Sequence, residues 1–146
     1  MLKTYLRNFK GEILLNIKLD PKLEKDSFLI DVFDEIQIST FNDSRYIWFI
    51  LAPAIPQLKN WHDLQSVLES KLFFIIRNLS KILSETLNTD KINIAFPGNI
   101  ESQFHLPIIA RYKGDASCPN PVLGDGVASA LEKDEIRTKQ KLILDL

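Results

Sequence analysis

One long stripe of apolar residues limits the folds open to this chain. Asn60 stands where a helix N-cap is expected and Asp63 falls in the first turn, so the pattern predicts one helix from Asn60 through Leu87. The stripe follows helical spacing over about six turns at Leu64, Leu68, Leu72, Ile75, Leu79 and Leu83, widened by Phe73, Ile76 and Ile82. A helix this apolar on one face needs a second layer to cover it.

Strand-like runs flank the helix and supply that second layer. Asn42–Arg45 and Pro97–Asn99 have turn composition, so the runs on either side of each turn should pair as neighbours. The fold class is therefore predicted to be α+β. The runs are rich in branched and aromatic residues or alternate apolar with polar ones: Phe28–Val32, Glu35–Phe41, Tyr46–Ala52, Lys91–Ala95 and Gln103–Tyr112.

Three further segments have local signals. Leu19–Leu23 has turn composition, and within it Asp20 can cap a helix while Pro21 suits a first helical position. Met1–Lys18 fits either a short helix or an edge strand, and both readings stay open. Ser129–Glu132 has the spacing of a capping box, which predicts a helix from there towards the C-terminus.

The last strand-like run contains a side chain suited to catalysis. Two sets of residues alternate along it: Phe104, Leu106 and Ile108, and Gln103, His105 and Pro107. The first set is apolar, so His105 is predicted to project from the face opposite the core. An imidazole in that position could act as a nucleophile or a general base. A single histidine on a strand is also a common structural residue, so the alternation alone leaves its role open.

The surrounding sequence resembles the histidine triad (HIT) superfamily. Asn93–Asp115, N-I-A-F-P-G-N-I-E-S-Q-F-H-L-P-I-I-A-R-Y-K-G-D, is similar to its signature strand, His-φ-His-φ-His-φ-φ with φ apolar. By register, Gln103 stands at the first histidine, His105 at the central one and Pro107 at the third. A bacterial branch of hydrolase-like members has glutamine at the first position, whereas proline at the third departs from it. The hairpin beginning at Asn42, N-D-S-R-Y-I-W-F-I-L-A-P, resembles the family's N-D-x-R-Y-P-W-x-x-L-x-P.

The resemblance implies a HIT-like fold, with about five antiparallel strands, one long helix packed on the sheet, and a homodimer. It implies a hydrolase of dinucleoside polyphosphates or nucleoside phosphoramidates, in which a nucleotidylated His105 is the intermediate. Asn93, Asn99 and Gln103 would bind the phosphate, and Asn42 would lie near the ribose. For Asn42 the alternative is that it only makes the hairpin turn.

Two positions depart from the family in ways that bear on catalysis. Pro107 has neither a side-chain donor nor a backbone N–H, and Ile100 stands where the family commonly has a hydroxyl. Losing one donor to developing charge costs about 2.7–4 kcal/mol. Three hypotheses follow: an enzyme with weak or altered activity, a non-catalytic dimeric nucleotide-binding module, and a domain that serves only in protein interactions.

Composition excludes some classes of partner and cofactor. The formal net charge of −1 provides no basic surface for nucleic acid. Cys118 is the only cysteine and the two histidines, His62 and His105, are far apart in sequence, so neither a metal cluster nor another cofactor is expected. His62 occupies a family-typical position in W-H-D-L, but the simpler interpretation is a histidine that packs near the start of the helix.

Length and hydrophobicity predict the overall organisation. A chain of 146 residues with 45% hydrophobic content is expected to form a single domain, 1–146. The family resemblance covers a core of about 20–124 and leaves 125–146 as a C-terminal loop and helix extension. The first residues lack the apolar segment of a signal peptide, and no run reaches the length of a membrane span, so a cytoplasmic protein is expected.

Overall fold

The computed structural model describes residues 6–7, 13–14, 19–144 and 146. The elements are β1 Leu6–Arg7, β2 Ile13–Leu14, α1 Pro21–Lys25, β3 Ser27–Phe33, β4 Ile36–Phe41, β5 Ile47–Pro53, α2 Ser66–Leu87, β6 Lys91–Ile94, β7 Leu106–Arg111 and α3 Lys133–Ile143. Five strands form one antiparallel sheet in the order β3-β4-β5-β7-β6, and β1 pairs with β2 in a separate two-stranded sheet. The predicted α+β class and five-stranded antiparallel sheet are confirmed.

The beginning of the chain was predicted to be either a helix or an edge strand. The described parts of that region are two short strands, Leu6–Arg7 and Ile13–Leu14, while the rest of Met1–Lys18 lies outside the described residues. The α1 helix follows the predicted signals, because the Asp20 carboxylate accepts from the Lys22 N–H and Pro21 is the first helical residue.

The main core lies between the sheet and α2. Every second residue of the central strands points at the helix, as strand geometry requires. Each large apolar side chain buried in this way stabilises the fold by about 1.5–3 kcal/mol. This confirms that the predicted stripe is the buried face. The fully buried members are Ile36, Ile38, Phe49, Leu51, Leu72, Ile75, Leu79, Leu83, Leu106 and Ile108.

The long helix begins six residues later than predicted. Asn60 and Asp63 do form a capping box, but it closes a 3-10 turn at Trp61–Asp63. Leu64 then adopts an extended conformation (φ −68°, ψ 136°), so the helical ladder cannot continue through it, and α2 starts at Ser66. Phe73 was expected to widen the buried stripe, but it is 56% exposed.

The C-terminal helix also begins later than predicted. The capping box is Glu132 with Glu135, whose carboxylate accepts from the Glu132 N–H at 2.7 Å, and α3 starts at Lys133. Ser129 instead bonds to the hairpin between β4 and β5: its N–H donates to the Asp43 carboxylate, and its carbonyl accepts from the Ser44 N–H. These bonds tie the C-terminal segment to the sheet.

A buried lysine on α3 predicts a pH-dependent stability. Lys139 is 3% exposed, and its Nζ donates to the Tyr46 carbonyl at 3.0 Å. Burial lowers the pKa of its ammonium from 10.5 to about 8. The unfolded chain therefore binds more protons than the folded one between pH 8 and 10.5, and the free energy of unfolding should rise with pH across that interval.

Replacing this lysine tests that expectation. Lys139→Met should raise the free energy of unfolding at pH 7 by on the order of 2 kcal/mol, and it should remove part of the rise between pH 8 and 10.5. Lys141→Met, at an exposed position on the same helix, is the matched control and should keep that rise. Urea unfolding at several pH values measures both variants. A Lys139→Met protein with the wild-type pH profile would contradict the expectation.

Candidate active site

His105 sits immediately before β7, on the face of the sheet opposite α2. Its neighbours Phe104 and Leu106 both point into the main core, so the side chain between them faces the other way, as predicted. The strand itself begins at Leu106 and not at Gln103, because the Phe104 N–H donates to the Leu58 carbonyl outside the sheet ladder. The imidazole is 8% exposed.

One hydrogen bond sets the tautomer of His105. Its Nδ1 lies 2.8 Å from the carbonyl oxygen of Gln103. A carbonyl can only accept, so Nδ1 carries a proton, and in the neutral imidazole Nε2 is then the nitrogen with the lone pair. This tautomer leaves Nε2 able to attack an electrophile.

The side chain of Gln103 is oriented by the start of α1. Its Oε1 accepts from the backbone N–H of Asp20. A backbone N–H can only donate, so the bond assigns the amide orientation and leaves Nε2 of Gln103 as a donor. No described residue accepts from that nitrogen. The hydrogen bond from the Lys22 N–H lowers the pKa of the Asp20 carboxyl below its ordinary value.

The side-chain amide of Asn93, on β6, is also oriented by a hydrogen bond to its oxygen. It lies across from Ile109 in the β6–β7 ladder, and its Oδ1 accepts from Nη1 of Arg111 at 2.8 Å. A guanidinium has no acceptor, so Nδ2 of Asn93 must be the free end of the amide. Within the described part of the chain, nothing accepts from Nδ2. Gln103 and Asn93 therefore both present an amide donor whose oxygen is held elsewhere.

Arg111 is the centre of this second network. Its Nε and Nη2 bind the two carboxylate oxygens of Asp115 at 2.6 and 2.9 Å, and Nη2 also donates to the Asn120 carbonyl. The guanidinium holds the pKa of Asp115 down at about 2, and the carboxylate raises the pKa of Arg111. Arg111 was not among the predicted site residues. Its position follows the same alternation, because it lies on the face of β7 that carries Pro107 and Ile109 and that His105 faces just before the strand.

The remaining predicted residues lie in other settings. The Asn42 Oδ1 accepts from the Leu131 N–H at 2.8 Å, so this side chain holds the C-terminal segment as well as belonging to the hairpin turn. Asn99 is exposed in the bend after β6. His62 was expected to pack and hydrogen-bond near the start of the helix. Its Nε2 lies 3.5 Å from the Asp63 carboxylate in the turn before α2, but its side chain is 81% exposed, so the packing part of that expectation was wrong.

Pro107 occupies a position in β7 that tolerates the loss of an N–H. It pairs with Ile50 of β5, and its carbonyl accepts from the Ala95 N–H at 3.3 Å, one residue beyond the end of β6. The nitrogen and carbonyl of one residue face the same neighbour in an antiparallel strand, so the proline nitrogen points to where the β6 ladder stops. The missing N–H of Pro107 therefore removes no bond from the β6–β7 ladder, which ends at the pair Ile94 and Ile108.

A cavity of about 310 Å³ opens on the same side of the sheet. Its walls come from β6, from Ile109 of β7 and from the loop after β7. All of its lining side chains except one are apolar, and the exception is Asn93. The residues that line the cavity include Asn93, Ala95, Ile109, Val122 and Leu123. Val122 also packs with Trp48, Ile50 and Ile109 in a second apolar cluster on this face.

Within 19–144 and 146, no three His, Cys, Asp or Glu side chains are grouped so that they could hold a metal ion. Among the helices assigned above, none is both long enough and apolar enough to cross a membrane.

The fold and the site together define a class: an α+β protein whose five-stranded antiparallel sheet carries a histidine of fixed tautomer on the face opposite a long helix. Solved structures of this class match most of the chain. A histidine triad protein from Sinorhizobium meliloti is 33% identical, with 88% of this chain and 96% of that chain covered and a TM-score of 0.84. A histidine triad protein from Bradyrhizobium japonicum is 31% identical, with 87% and 95% covered and a TM-score of 0.82.

The chain belongs to the histidine triad family. A third member, from Marinobacter aquaeolei, is 26% identical over 86% of this chain and 92% of that chain, with a TM-score of 0.82. No protein-family model matches the sequence, and no curated protein matches it. The family resemblance predicted from the sequence is confirmed by the structures.

Proposed function

We propose that the protein is a nucleotide-binding phosphohydrolase that forms a nucleotidylated His105. The observation that carries the proposal is the bond from Nδ1 to the Gln103 carbonyl, which in the neutral imidazole leaves the lone pair on Nε2, on the face opposite α2. Nε2 attacks the phosphorus, the bond from phosphorus to the leaving group breaks, and the leaving group departs with its electron pair. Water then cleaves the P–N bond and regenerates His105.

Gln103 is proposed as a donor to the phosphoryl oxygens at His105. Asn93 lies across from Ile109, about 13 Å along the strand from His105, and is proposed as a donor to a more distant phosphate of the ligand. Gln103 and Asn93 each have their oxygen held by an internal donor, so their NH₂ groups are oriented before a ligand arrives. Such prior orientation is what makes a donor effective at a developing charge. Asn99 is proposed as a third donor because the exposed bend leaves it accessible. Asn42 keeps its own NH₂ for a ribose hydroxyl, since Leu131 uses only its oxygen.

A mass-spectrometric experiment tests the proposal. The protein is incubated with adenosine 5′-phosphoramidate and, separately, with diadenosine tetraphosphate, and is quenched in acid-free denaturant within seconds. An adenylyl adduct located on His105 by peptide mapping, together with released AMP, is the expected result. Hydrolysis without an adduct on His105 would contradict the proposed route.

The second candidate is a nucleotide-binding module without turnover. Pro107 favours it, because that position supplies no donor to a leaving group. Binding of AMP measured by calorimetry, with neither adduct nor hydrolysis for either substrate, would select this candidate over the enzyme.

A homodimer is proposed on the basis of an apolar surface at the edge of the sheet. β6 is the edge strand, and exposed apolar side chains continue from it onto α2. Phe96 stacks edge-on against Trp61 at 5.0 Å between ring centres, and Phe73 does so from the helix at 5.2 Å. A surface of this kind marks an interaction site. The exposed members are Phe73, Ile94, Phe96 and Ile100.

Light scattering tests the dimer. The wild-type protein should have twice the 16.8 kDa mass of the chain at micromolar concentrations, and Phe96→Glu should shift it to the mass of one chain. Val127→Glu is the matched control, because Val127 is 88% exposed on the C-terminal segment, and this variant should stay dimeric. A wild-type monomer at every concentration would contradict the proposal.

A further inference from the structure

The C-terminal segment 125–143 is fastened to the hairpin between β4 and β5. Besides the two bonds made by Ser129, the Leu131 N–H donates to Oδ1 of Asn42, and Nη2 of Arg45 donates to the Asp125 carbonyl at 3.2 Å. All of these bonds join the hairpin turn to a stretch outside any helix or strand, so none of them belongs to the sheet ladder. They can therefore break while the strands stay paired.

The segment also adds little to the apolar core. Its buried apolar side chains, among the described residues, are Leu131, Leu142 and Ile143. The fully buried side chains of the main core all belong to the sheet and α2. A part of a protein that buries little apolar surface opens at a lower free-energy cost than the whole molecule. The segment is thus a candidate for opening by itself.

A buried cation opposes the closed position of this segment. Nζ of Lys139 donates to the Tyr46 carbonyl at the end of the hairpin. The charged groups that act on it are Glu135, one turn earlier on α3, and Asp43 on the hairpin, while the described residues of β3 and α2, which also pack on α3, supply none. Burial outweighs both carboxylates and lowers the pKa of Lys139 to about 8. Opening returns the ammonium to water, so protonation favours the open segment.

We propose that 125–143 is a proton-controlled latch, which detaches from the hairpin and the core while the five-stranded sheet stays folded. The closed latch holds the oxygen of Asn42 and so orients the amide that the proposed function assigns to the ribose. That coupling rests on the proposed function, whereas the opening of the latch does not. Because coupling between two sites is reciprocal, a bound nucleotide should hold the latch closed.

Two buried cysteines, each placed in a Cys118→Ala chain that has no other thiol, measure the opening. Leu142→Cys puts a thiol on the buried face of α3. Ser80→Cys puts one on α2, where the serine hydroxyl is buried without a hydrogen-bond partner. The rate of labelling by iodoacetamide, divided at each pH by the rate for a free thiol, gives the open fraction at each position.

The latch predicts different results at the two positions. From pH 7 to pH 9.5 the open fraction at position 142 should fall at least tenfold, and with Lys139→Met it should not change with pH. At pH 7 position 80 should be labelled at least tenfold more slowly than position 142. Equal labelling at both positions, or the same pH dependence with Lys139→Met, would overturn the inference. Amide hydrogen exchange of α3 and α2 at pH 7 repeats the comparison without any cysteine variant.

Two glycine substitutions test the attachment to the hairpin. A Cβ at Gly126 would lie 2.6 Å from Nη1 of Arg45, whereas a Cβ at Gly124 would meet nothing within 4 Å. Both glycines have positive φ, so the backbone strain of an alanine is matched. Gly126→Ala should raise the open fraction at position 142 at least threefold above that of Gly124→Ala. Equal effects of the two substitutions would overturn the role of the hairpin.

AMP tests the coupling to the nucleotide site. Saturating AMP, with binding measured by calorimetry, should lower the open fraction at position 142 at least threefold at pH 7. AMP that binds without slowing the labelling would overturn the coupling. AMP that does not bind would overturn the proposed function together with the coupling, while the pH dependence of labelling still decides whether the latch exists.

Discussion

Replacement of His105 by asparagine should lower nucleotide hydrolysis by roughly a thousandfold or more and abolish the adduct. Asparagine is chosen because its NH₂ can take the place of Nδ1 and donate to the Gln103 carbonyl, so the local hydrogen bond survives. What is lost is the lone pair of Nε2, the atom proposed to attack phosphorus.

The second histidine supplies the control for this experiment. His62→Asn changes an 81% exposed side chain on the same chain and should leave turnover at the wild-type value. Thermal unfolding of both variants within a few degrees of wild type shows that the loss is chemical. Retention of more than a tenth of the activity in His105→Asn would show that the reaction does not pass through this residue.

Removing the Arg111 guanidinium should lower the free energy of unfolding more than it is changed by any of the substitutions proposed above. Arg111→Met leaves the carboxylate of Asp115 buried without its partner, at 8% exposure, and breaking such a pair costs about 3–5 kcal/mol. Arg111→Lys should recover only part of the loss, because an ammonium cannot bind both carboxylate oxygens and Asn93 at once. Urea unfolding at pH 7 measures the difference.

A double variant distinguishes lost charge pairing from lost packing. Arg111→Met with Asp115→Asn buries no unpaired charge and should be more stable than Arg111→Met alone. Its kcat/KM should nevertheless stay below wild type, because Asn93 is no longer oriented. A stability loss under 1 kcal/mol in Arg111→Met would mean that the ion pair contributes little.

The ion pair between Arg111 and Asp115 also predicts how the free energy of unfolding changes at acid pH. The folded pKa of Asp115 is about 2 against an ordinary 3.8, so its contribution is present above pH 4 and is lost as the pH falls towards 2. In the double variant, which has no carboxyl at position 115, that part of the acid loss should be missing. An unchanged acid profile would contradict the assignment.

Residue pattern alone predicted the main layers of this fold. The stripe from Leu68 to Leu83 is buried against the sheet, and Phe104, Leu106 and Ile108 enter the same core. These predictions succeed because the spacing of apolar residues along a helix or strand must match the face of that element that the core covers. The position of His105 opposite the core follows from the same alternation.

Element starts were predicted less well than the elements themselves. Asn60 and Ser129 both have capping composition, yet α2 starts at Ser66 and α3 at Lys133. Asn60 caps a short turn before an extended residue, and Ser129 bonds to Asp43 far away in sequence. Capping composition marks a residue that can begin a helix, but whether one follows depends on the backbone conformation of the next residues and on partners distant in sequence, which composition does not give.

The sequence by itself determined the α+β class, the buried helix face and the side of the sheet on which His105 lies, since each depends on the spacing of neighbours along the chain. Only the tertiary structure decided how the amides of Gln103 and Asn93 are turned. Asp20 and Arg111 orient them across 83 and 18 residues of sequence, respectively. A hydrogen bond depends on the direction of its donor and acceptor and not on any regular spacing along the sequence. Partners that are brought together only by folding therefore leave no local sequence pattern.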